Sequence, residues 1–296
     1  MLVTGHSGFI GFHLTKSFSN KLNILGISNK IVSNSEITQI KKDIKNISTK
    51  DIPKEISCII HLAALTDVNY CNNYPTKTFQ TNAFGTQNLL EIARKTNSKF
   101  IYLSTSHVFG NPKQIPIDEN HPKQPTSIYS ASKLTGEILC ESYSKTYGLD
   151  ISIARLFSIY GPNSPKHLVT SKLIQQLLKG NLIELGNTRP KRDFLYIDDV
   201  IDALKIILKN TKGFNSYNIG FGKSYSIEDL CKYLIKISNK KILFKSKKSL
   251  SRTKDIPNVV ANCSKIKKLG WKPQMTLNDG LKLTYEWFKA RNISDI

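Results

Sequence analysis

The sequence predicts an α/β protein built on a doubly wound parallel sheet, with a smaller α/β domain at its C-terminal side. Two observations carry this prediction. Short apolar runs alternate with amphipathic helical stretches up to about residue 160, and a glycine-rich turn joins the first run to the first helix. Strands that alternate with helices require right-handed crossovers, which give a parallel sheet covered by helices on both faces.

Each element follows from its apolar pattern, because short runs predict strands and a period of three to four residues predicts helices. The predicted strands are 1–4, 23–27, 57–62, 99–104, 151–157 and 215–219. The predicted helices are 10–19, 76–97, 129–147, 167–179 and 197–209. The stretch GNTRPKRDF (186–194) is predicted to be a loop, and 221–296 to form further helices and short strands.

The alternation changes after residue 160, which predicts two domains. We expect a sheet domain of 1–160, to which 195–219 returns, and a second domain of 161–194 and 220–296. Nothing in the sequence predicts a metal site or a disulfide framework, since no CxxC, HxH or HxxxH spacing occurs. No apolar run approaches the roughly 20 residues of a membrane span. These features are typical of a cytoplasmic protein with reduced thiols.

The chain is strongly basic, with 43 Lys and Arg against 22 Asp and Glu and a formal net charge of +21. A nucleic-acid-binding protein is one interpretation of this excess. However, the lysines are spread along the chain with only short clusters such as KSKK (245–248), and no aromatic residues for base stacking are interleaved there. We therefore expect no nucleic-acid partner. A positive field instead favours a small acidic substrate such as a nucleotide diphosphate.

The segment TGHSGFIG (4–11) follows the first strand and opens the first helix. In such a turn the first glycine permits the bend, the second admits a pyrophosphate, and the third lets helix and strand pack closely. The helix N-terminus then attracts the phosphates. The position of this motif predicts a dinucleotide site with the following contacts: Gly5, Gly8, Phe9, Ile10 and Gly11.

The end of the second strand reads GISNK (26–30), where an acid commonly binds the adenosine ribose. Ser28, Asn29 and Lys30 stand there instead, and hydroxyl, amide and ammonium groups can all hold a 2′-phosphate. The sequence therefore favours NADP over NAD as cofactor. NAD remains the alternative, with its ribose held by backbone or water.

The helix 129–147 opens with Tyr129 and Lys133, which are four residues apart and share one face. A phenol has an ordinary pKa near 10, so a nearby cation is needed if Tyr129 is to exchange protons at neutral pH. We expect Lys133 to supply that charge and to bind the nicotinamide ribose. The preceding apolar strand ends in polar residues, YLSTSHVFG (102–110), which suggests a site at the same edge of the sheet.

Several motifs together resemble the extended short-chain dehydrogenase/reductase family, which contains nucleotide-sugar epimerases, dehydratases and reductases. They are TGHSGFIG (4–11), HLAA (61–64), TNAFGTQNLLE (81–91), STSHVFG (104–110), YSASKLTGE (129–137), RLFSIYGP (155–162), RDFLYIDDV (192–200), YNIG (217–220) and LGWKP (269–273). The resemblance covers essentially the whole chain. It implies that 1–160 is a dinucleotide-binding Rossmann domain and that the second domain binds a nucleotide-diphosphate sugar.

The resemblance also implies roles for individual residues. Thr105 stands beside Tyr129 and hydrogen-bonds the C4 oxygen of the sugar, so that the implied catalytic residues are Thr105, Tyr129 and Lys133. Further cofactor contacts are implied at Asp43 and Ile44 beside the adenine, and at Leu62, Ala63, Ala64 and Asn82. The implied substrate-binding residues are Thr105, Ser158, Arg192, Arg252 and Asp255. Helices 76–97 and 129–147 are implied to form a homodimer interface.

Two departures from the family pattern guide the functional prediction. Sugar 4,6-dehydratases carry acidic residues directly after the Thr, whereas this chain has Ser106 and His107, which argues against a dehydratase. Ser158 replaces an Asn that is common at its position. We prefer a nucleotide-sugar 4-epimerase. The alternatives are an NADPH-dependent 4-ketoreductase, which GISNK (26–30) and TDVNYC (66–71) favour, and a catalytically silent nucleotide-binding scaffold.

Overall fold

The computed structural model describes residues 1–18, 22–33, 35–247 and 256–291. Its strands are β1 (Leu2–Thr4), β2 (Leu25–Ser28), β3 (Thr38–Lys41), β4 (Cys58–His61), β5 (Lys99–Thr105), β6 (Ile151–Leu156), β7 (Ser158–Tyr160), β8 (Leu182–Leu185), β9 (Lys191–Tyr196), β10 (Phe214–Ile219), β11 (Ser224–Ser226) and β12 (Leu243–Ser246). Its helices are α1 (Phe9–Phe18), α2 (Val68–Asn73), α3 (Pro75–Phe79), α4 (Gly85–Thr96), α5 (Ile128–Tyr147), α6 (Val169–Lys179), α7 (Ile197–Asn210), α8 (Ile227–Ser238), α9 (Ser264–Lys267) and α10 (Leu277–Lys289).

Seven strands form the central sheet in the order β10-β6-β5-β4-β1-β2-β3, and every neighbouring pair is parallel. This arrangement confirms the predicted doubly wound parallel sheet. The chain moves outward from β1 in one direction through β2 and β3, and in the other through β4, β5 and β6. In such sheets a crevice opens at the carboxyl ends of the strands where the order reverses. Here that position lies between β1 and β4.

Successive side chains of a strand point to opposite faces of the sheet, so the strands contribute residues to two hydrophobic cores, one on each face. Leu2, Ile59 and Phe100 face the core that α4 and α5 cover. Val3 and Ile60 face the other core, which α1 and α7 cover. The second core continues into the smaller sheets and the C-terminal helices, through Leu173, Leu230, Trp271 and Phe288. The two predicted domains therefore share one core, and their boundaries stay a prediction.

The smaller sheets lie after residue 157. β9 pairs with β7 in parallel and with β11 antiparallel, and β12 pairs with β8 in parallel. The prediction of a loop at 186–194 was wrong at its C-terminal end, because β9 begins at Lys191. Asp193, fully buried in β9, accepts the backbone N–H groups of Phe221, Gly222 and Ala261. The sequence did not predict β9 because the polar Arg192 and Asp193 interrupt its apolar pattern. Asp193 is nevertheless buried, because its carboxylate binds a neighbouring loop.

Other elements also differ from the prediction. β3 was missed because its four residues are polar or half-exposed at the sheet edge. The predicted helix 76–97 is α3 and α4 joined by a π-helical turn, Gln80–Phe84. No helix in the described ranges is long and apolar enough to cross a membrane. The five cysteines are all buried and unbridged.

Candidate active site at the sheet crevice

In the glycine turn after β1, two glycines are required because a side chain would overlap neighbouring backbone. The third has room for a side chain. Gly5 has φ +70°, and a Cβ there would lie 2.8 Å from the backbone nitrogen of Ala63. A Cβ on Gly11 would overlap the carbonyl oxygen of Gly5. Gly8 is exposed, and a Cβ on it would meet only that same oxygen, at 3.2 Å. The turn is therefore shaped to bring bare backbone to the crevice at Gly8.

Helix α1 begins at Phe9, directly after this turn, and has no acidic residue in its first turn. The first backbone N–H groups of a helix have no acceptor within it, and the helix dipole favours an anion there. Phe9 and Ile10 are half-buried at this end. The open glycine and the helix N-terminus together fit the diphosphate of a dinucleotide.

The loop after β2 presents amide and ammonium groups without a carboxylate. Ser28 is buried, and its hydroxyl accepts the backbone N–H of Lys30 and donates to the carbonyl of the same residue. The side chains of Asn29 and Lys30 are exposed. Of the three predicted ribose contacts, Ser28 thus has its hydroxyl engaged inside its own turn. The side chains of Asn29 and Lys30 are exposed to solvent and could contact a ligand.

The loop after β4 is fixed by Asn82, which lies in the π-helical turn. The Asn82 Oδ1 accepts the N–H of Leu65 at 2.8 Å, while its Nδ2 donates to the Leu65 carbonyl at 2.9 Å and to Ser132 Oγ at 3.0 Å. Leu62, Ala63 and Ala64 lie half-buried just before this clamp. Asn82 therefore ties the small-residue loop to helix α5.

The predicted adenine contacts lie beside the sheet edge. Ile44 is buried against Gly85, where an added Cβ would lie 2.6 Å from the Ile44 Cδ1. Asp43 accepts the backbone N–H of Lys45 through its Oδ1. Asn88 donates to the carbonyl of Ile44, which holds the segment against α4.

A buried histidine that the sequence motifs contain, but to which no role was given, connects these loops. His61 Nδ1 lies 2.7 Å from Thr4 Oγ1, and its Nε2 lies 3.0 Å from Thr86 Oγ1. Thr86 donates to the Asn82 carbonyl. Burial, and secondarily the charge of Lys133, holds the pKa of His61 well below its ordinary value. His61 is therefore a neutral link between β1, β4 and α4.

Thr105 and Tyr129 meet at the carboxyl edge of the sheet. Burial of its hydroxyl raises the pKa of Tyr129 to about 12, and a hydrogen bond with Thr105 acts in the opposite direction. Lys133 is 4% exposed and its Nζ lies 4.0 Å from the Tyr102 ring centroid. Burial lowers the pKa of Lys133 to about 7. Thr105 is the neighbour that lowers the Tyr129 pKa, and the effect expected of Lys133 on that pKa stays a prediction.

A buried ion pair fixes helix α5 against the strands that carry Thr105. Glu137 accepts both Arg155 Nε and Arg155 Nη2 at 2.9 Å, and it accepts Ser104 Oγ at 2.6 Å. Arg155 is 2% exposed and Glu137 is 1% exposed. Ser104 precedes Thr105 in β5. The pair therefore locks the helix that carries Tyr129 to the strand end that carries Thr105.

The predicted substrate-binding residues are more scattered. Ser158 is half-buried and opens β7, two residues after Leu156, which pairs with Thr105. Arg192 lies in β9, and its Nη1 donates to the carbonyls of Lys191 and Ile256. Arg252 and Asp255 lie outside the described residues.

Residues 2–284 match the family model described as GDP-mannose 4,6-dehydratase. The chain belongs to the extended short-chain dehydrogenase/reductase family of nucleotide-sugar epimerases and dehydratases. The predicted family is thereby confirmed, and it is a family of enzymes that act with a nicotinamide dinucleotide.

Individual members of the extended family differ in reaction and cofactor. The UDP-glucuronic acid 4-epimerase of Bacillus cereus, solved with UDP-glucuronic acid and NAD, is 31% identical with a TM-score of 0.90 over 98% of both chains. RMD of Pseudomonas aeruginosa, solved with NADPH, is 26% identical with a TM-score of 0.87, covering 98% of this chain and 99% of its own. The human dTDP-D-glucose 4,6-dehydratase is 29% identical over 98% of this chain and 89% of its own.

These relatives correct one expectation. The matched family model and the human relative are both described as dehydratases. The argument against dehydratase chemistry from Ser106 and His107 is therefore not supported. The relatives include both epimerases and dehydratases.

Proposed function

We propose that the protein is a nucleotide-sugar 4-epimerase that keeps a nicotinamide dinucleotide bound in the crevice between β1 and β4. The observation that supports the proposal is the placement of Thr105 at the carboxyl end of β5 beside Tyr129 at the start of α5, on the same edge of the sheet as the open glycine turn. A site that interconverts C4 epimers needs proton-handling groups beside a hydride acceptor, and this pairing supplies them.

The residues of the chain would act as follows. Gly5, Gly8 and the N-terminus of α1 hold the diphosphate, and Asn82 keeps the loop of Ala63 and Ala64 in place. The dinucleotide, when bound, supplies the hydride acceptor. A phenol with a pKa near 12 is protonated at neutral pH, so Tyr129 is ready to donate to the C4 oxygen. For the reverse transfer its pKa must fall when ligands bind, and the Thr105 hydrogen bond favours that change.

We propose a nucleotide-diphosphate hexose or hexuronate as substrate. Ser158, Arg192, Arg252 and Asp255 are the proposed contacts to its nucleotide, with guanidinium groups suited to diphosphate oxygens. The epimerase of Bacillus cereus, which was solved with UDP-glucuronic acid and NAD, supports this class.

The test is product identification. The purified protein is incubated with UDP-glucose, UDP-N-acetylglucosamine and UDP-glucuronate, with and without added NAD, and the products are read by proton NMR. We expect the C4 epimer of one of these substrates. Absence of any C4 epimer with all three, although the dinucleotide binds, would remove the epimerase proposal.

A 4-ketoreductase is the second candidate, and the loop after β2 favours it. Asn29 and Lys30 are exposed there and no carboxylate opposes a 2′-phosphate. We expect NADPH to bind more tightly than NADH by about 1–3 kcal/mol, the range for hydrogen bonds to a charged group. Lys30→Ala should reduce the affinity for NADPH and leave that for NADH nearly unchanged, both measured by calorimetry at fixed salt.

Lys212→Ala is the matched control for Lys30→Ala. Lys212 is exposed but precedes β10, at the amino end of the sheet, so its loss should change neither affinity. Tighter binding of NADH than of NADPH by the parent would contradict the NADP preference. It would instead favour the epimerase with bound NAD.

We also propose a homodimer through α4 and α5. These helices pack together, and large apolar side chains on or beside them are exposed: Phe84 is 62%, Ile138 is 59% and Tyr147 is 50% exposed. Ile138→Glu should yield a folded monomer by light scattering, whereas Leu283→Glu, at an exposed site on α10, should stay dimeric. A parent that is monomeric at micromolar concentration would refute this assembly.

A further inference from the structure

The ammonium group of Lys133 lies over an aromatic ring. Its Nζ is 4.0 Å from the centroid of the Tyr102 ring, and Tyr102 is fully buried in β5. Within the described part of the chain, Lys133 Nζ makes no hydrogen bond or ion pair. An ammonium group that is removed from water needs a compensating contact, because its desolvation is costly. The face of the Tyr102 ring supplies that contact.

The carboxylate one turn further along α5 is engaged with other groups. Glu137 accepts two hydrogen bonds from Arg155 and one from Ser104, and Lys123 Nζ lies 3.4 Å from its Oε2. Burial lowers the pKa of Lys133 to about 7, and the charge of Glu137 opposes this only in part. The Tyr102 ring therefore stands where a carboxylate would otherwise be needed.

Three contacts fix the Tyr102 ring in this position. Its hydroxyl donates to the backbone carbonyl of Lys133 at 3.3 Å. A Cβ on Gly136 would overlap this hydroxyl, so the glycine leaves room for the phenol beside α5. The ring of His61 packs against Tyr102, with centroids 5.7 Å apart. The ring face is therefore held in place under the ammonium group.

We propose that Tyr102 is a positioning residue, whose ring face holds the Lys133 ammonium by a cation–π contact and leaves its N–H groups for the nicotinamide ribose. The proposal rests on the proposed function, which places a dinucleotide in the crevice, with Lys133 as the expected ligand of that ribose. A carboxylate would accept N–H groups of the ammonium. A ring face attracts its charge instead, so the N–H groups that point away from the ring can donate to ribose hydroxyl oxygens.

A titration can reveal this contact, because the groups around Lys133 do not change charge near neutral pH. Those groups are His61 on β4, Tyr102 on β5, and Tyr129, Glu137 and Cys140 on α5. Burial holds the pKa of His61 well below its ordinary value and raises the pKa values of both tyrosines and of Cys140. Glu137 is held in its ion pair with Arg155.

The direction of the effect follows from the charge. A cation–π contact stabilises the ammonium but not the neutral amine, so it raises the pKa of Lys133 against the effect of burial. Weakening the contact should therefore lower that pKa further. Lys133 would then lose its charge, and with it part of its hold on the ribose, at a lower pH than in the parent.

The experiment measures NADH binding on both sides of neutral pH while the negative face of the ring is weakened in steps. Tyr102 is replaced by phenylalanine carrying no, one, two or three fluorines, which nearly keep the shape of the ring. Phe100 receives the same fluorines as the matched control, because it is fully buried on the same strand and no cation contacts its ring among the described residues. Lys133→Met identifies the pH dependence that belongs to Lys133.

We expect the affinity of the parent for NADH to fall as pH rises through the pKa of Lys133, and Lys133→Met to lack this fall. Tyr102→Phe should keep the midpoint of the parent, because its ring face is retained. Three fluorines should lower the midpoint by about one pH unit, since a desolvated cation–π contact favours the ammonium roughly tenfold or more. The Phe100 series should leave the midpoint unchanged.

Two results would overturn the proposal. One is a midpoint that stays constant along the Tyr102 series, even where thermal stability falls, which would assign the ring to packing alone. The other is a parent whose affinity for NADH shows no pH dependence that Lys133→Met removes. Failure of the proposed function is read separately, as absence of C4 epimerisation by a parent that binds NADH.

Discussion

Tyr129→Phe is expected to lower turnover of a sugar nucleotide by about 10²–10⁴-fold, the usual contribution of a positioned acid–base group. The ring still fills its site between Thr105 and His107, so the fold and dinucleotide binding should be preserved. Only the hydroxyl that we propose to exchange a proton with the C4 oxygen is lost. Steady-state kinetics under saturating dinucleotide measure the effect.

Tyr147→Phe is the control for this substitution, because Tyr147 is half-exposed at the far end of the same helix. It should retain the turnover of the parent. If Tyr129→Phe also kept near-normal turnover while its thermal unfolding matched the parent, Tyr129 would have no place in the chemistry. Thr105 would then be left without the partner on which its role depends.

Arg155→Met is expected to lower the free energy of unfolding by about 3–5 kcal/mol, the typical cost of leaving a buried charge without its partner. Glu137 is 1% exposed and would keep only Ser104 and the half-exposed Lys123. The double variant Arg155→Met with Glu137→Leu should recover part of this loss, since a buried pair can often be replaced by apolar residues. Urea unfolding measures all three proteins.

An exposed pair on the same helix provides the comparison. Glu141 and Lys145 form a surface ion pair, and Lys145→Met should change stability by less than about 0.5 kcal/mol. If Arg155→Met cost no more than this control, the buried pair would not hold α5 against β5. The same conclusion would follow if Glu137→Leu destabilised the Arg155→Met protein further.

The sheet was predictable because its signals are local. A few residues are enough to predict the apolar strands β1, β4, β5 and β6 and the glycine turn at 5–11. The returning strand β10 followed from the same pattern. By contrast, β3 and β9 carry polar residues whose partners lie elsewhere in the chain, so their sequences do not alternate in the expected way.

The sequence allowed candidate site residues to be named but did not reveal the interactions between them. Tyr129, Lys133 and Thr105 came from motif and resemblance, whereas the roles of His61 and Arg155 depend on pairing across strands and helices. The pKa shifts of the site residues could not be predicted for the same reason. Burial dominates the pKa of both Tyr129 and Lys133, and burial cannot be judged from a spacing of four residues.

Retention of the hydrogen at C4 tests the central claim most directly. A UDP-hexose or UDP-hexuronate carrying deuterium at C4 is converted by the protein in ordinary water, and the product is examined by NMR and mass spectrometry. A 4-epimerase that removes and returns hydride at one carbon predicts a C4 epimer with the deuterium still at C4. A C4 epimer that has lost the deuterium to solvent, or no C4 epimer at all, would contradict the account.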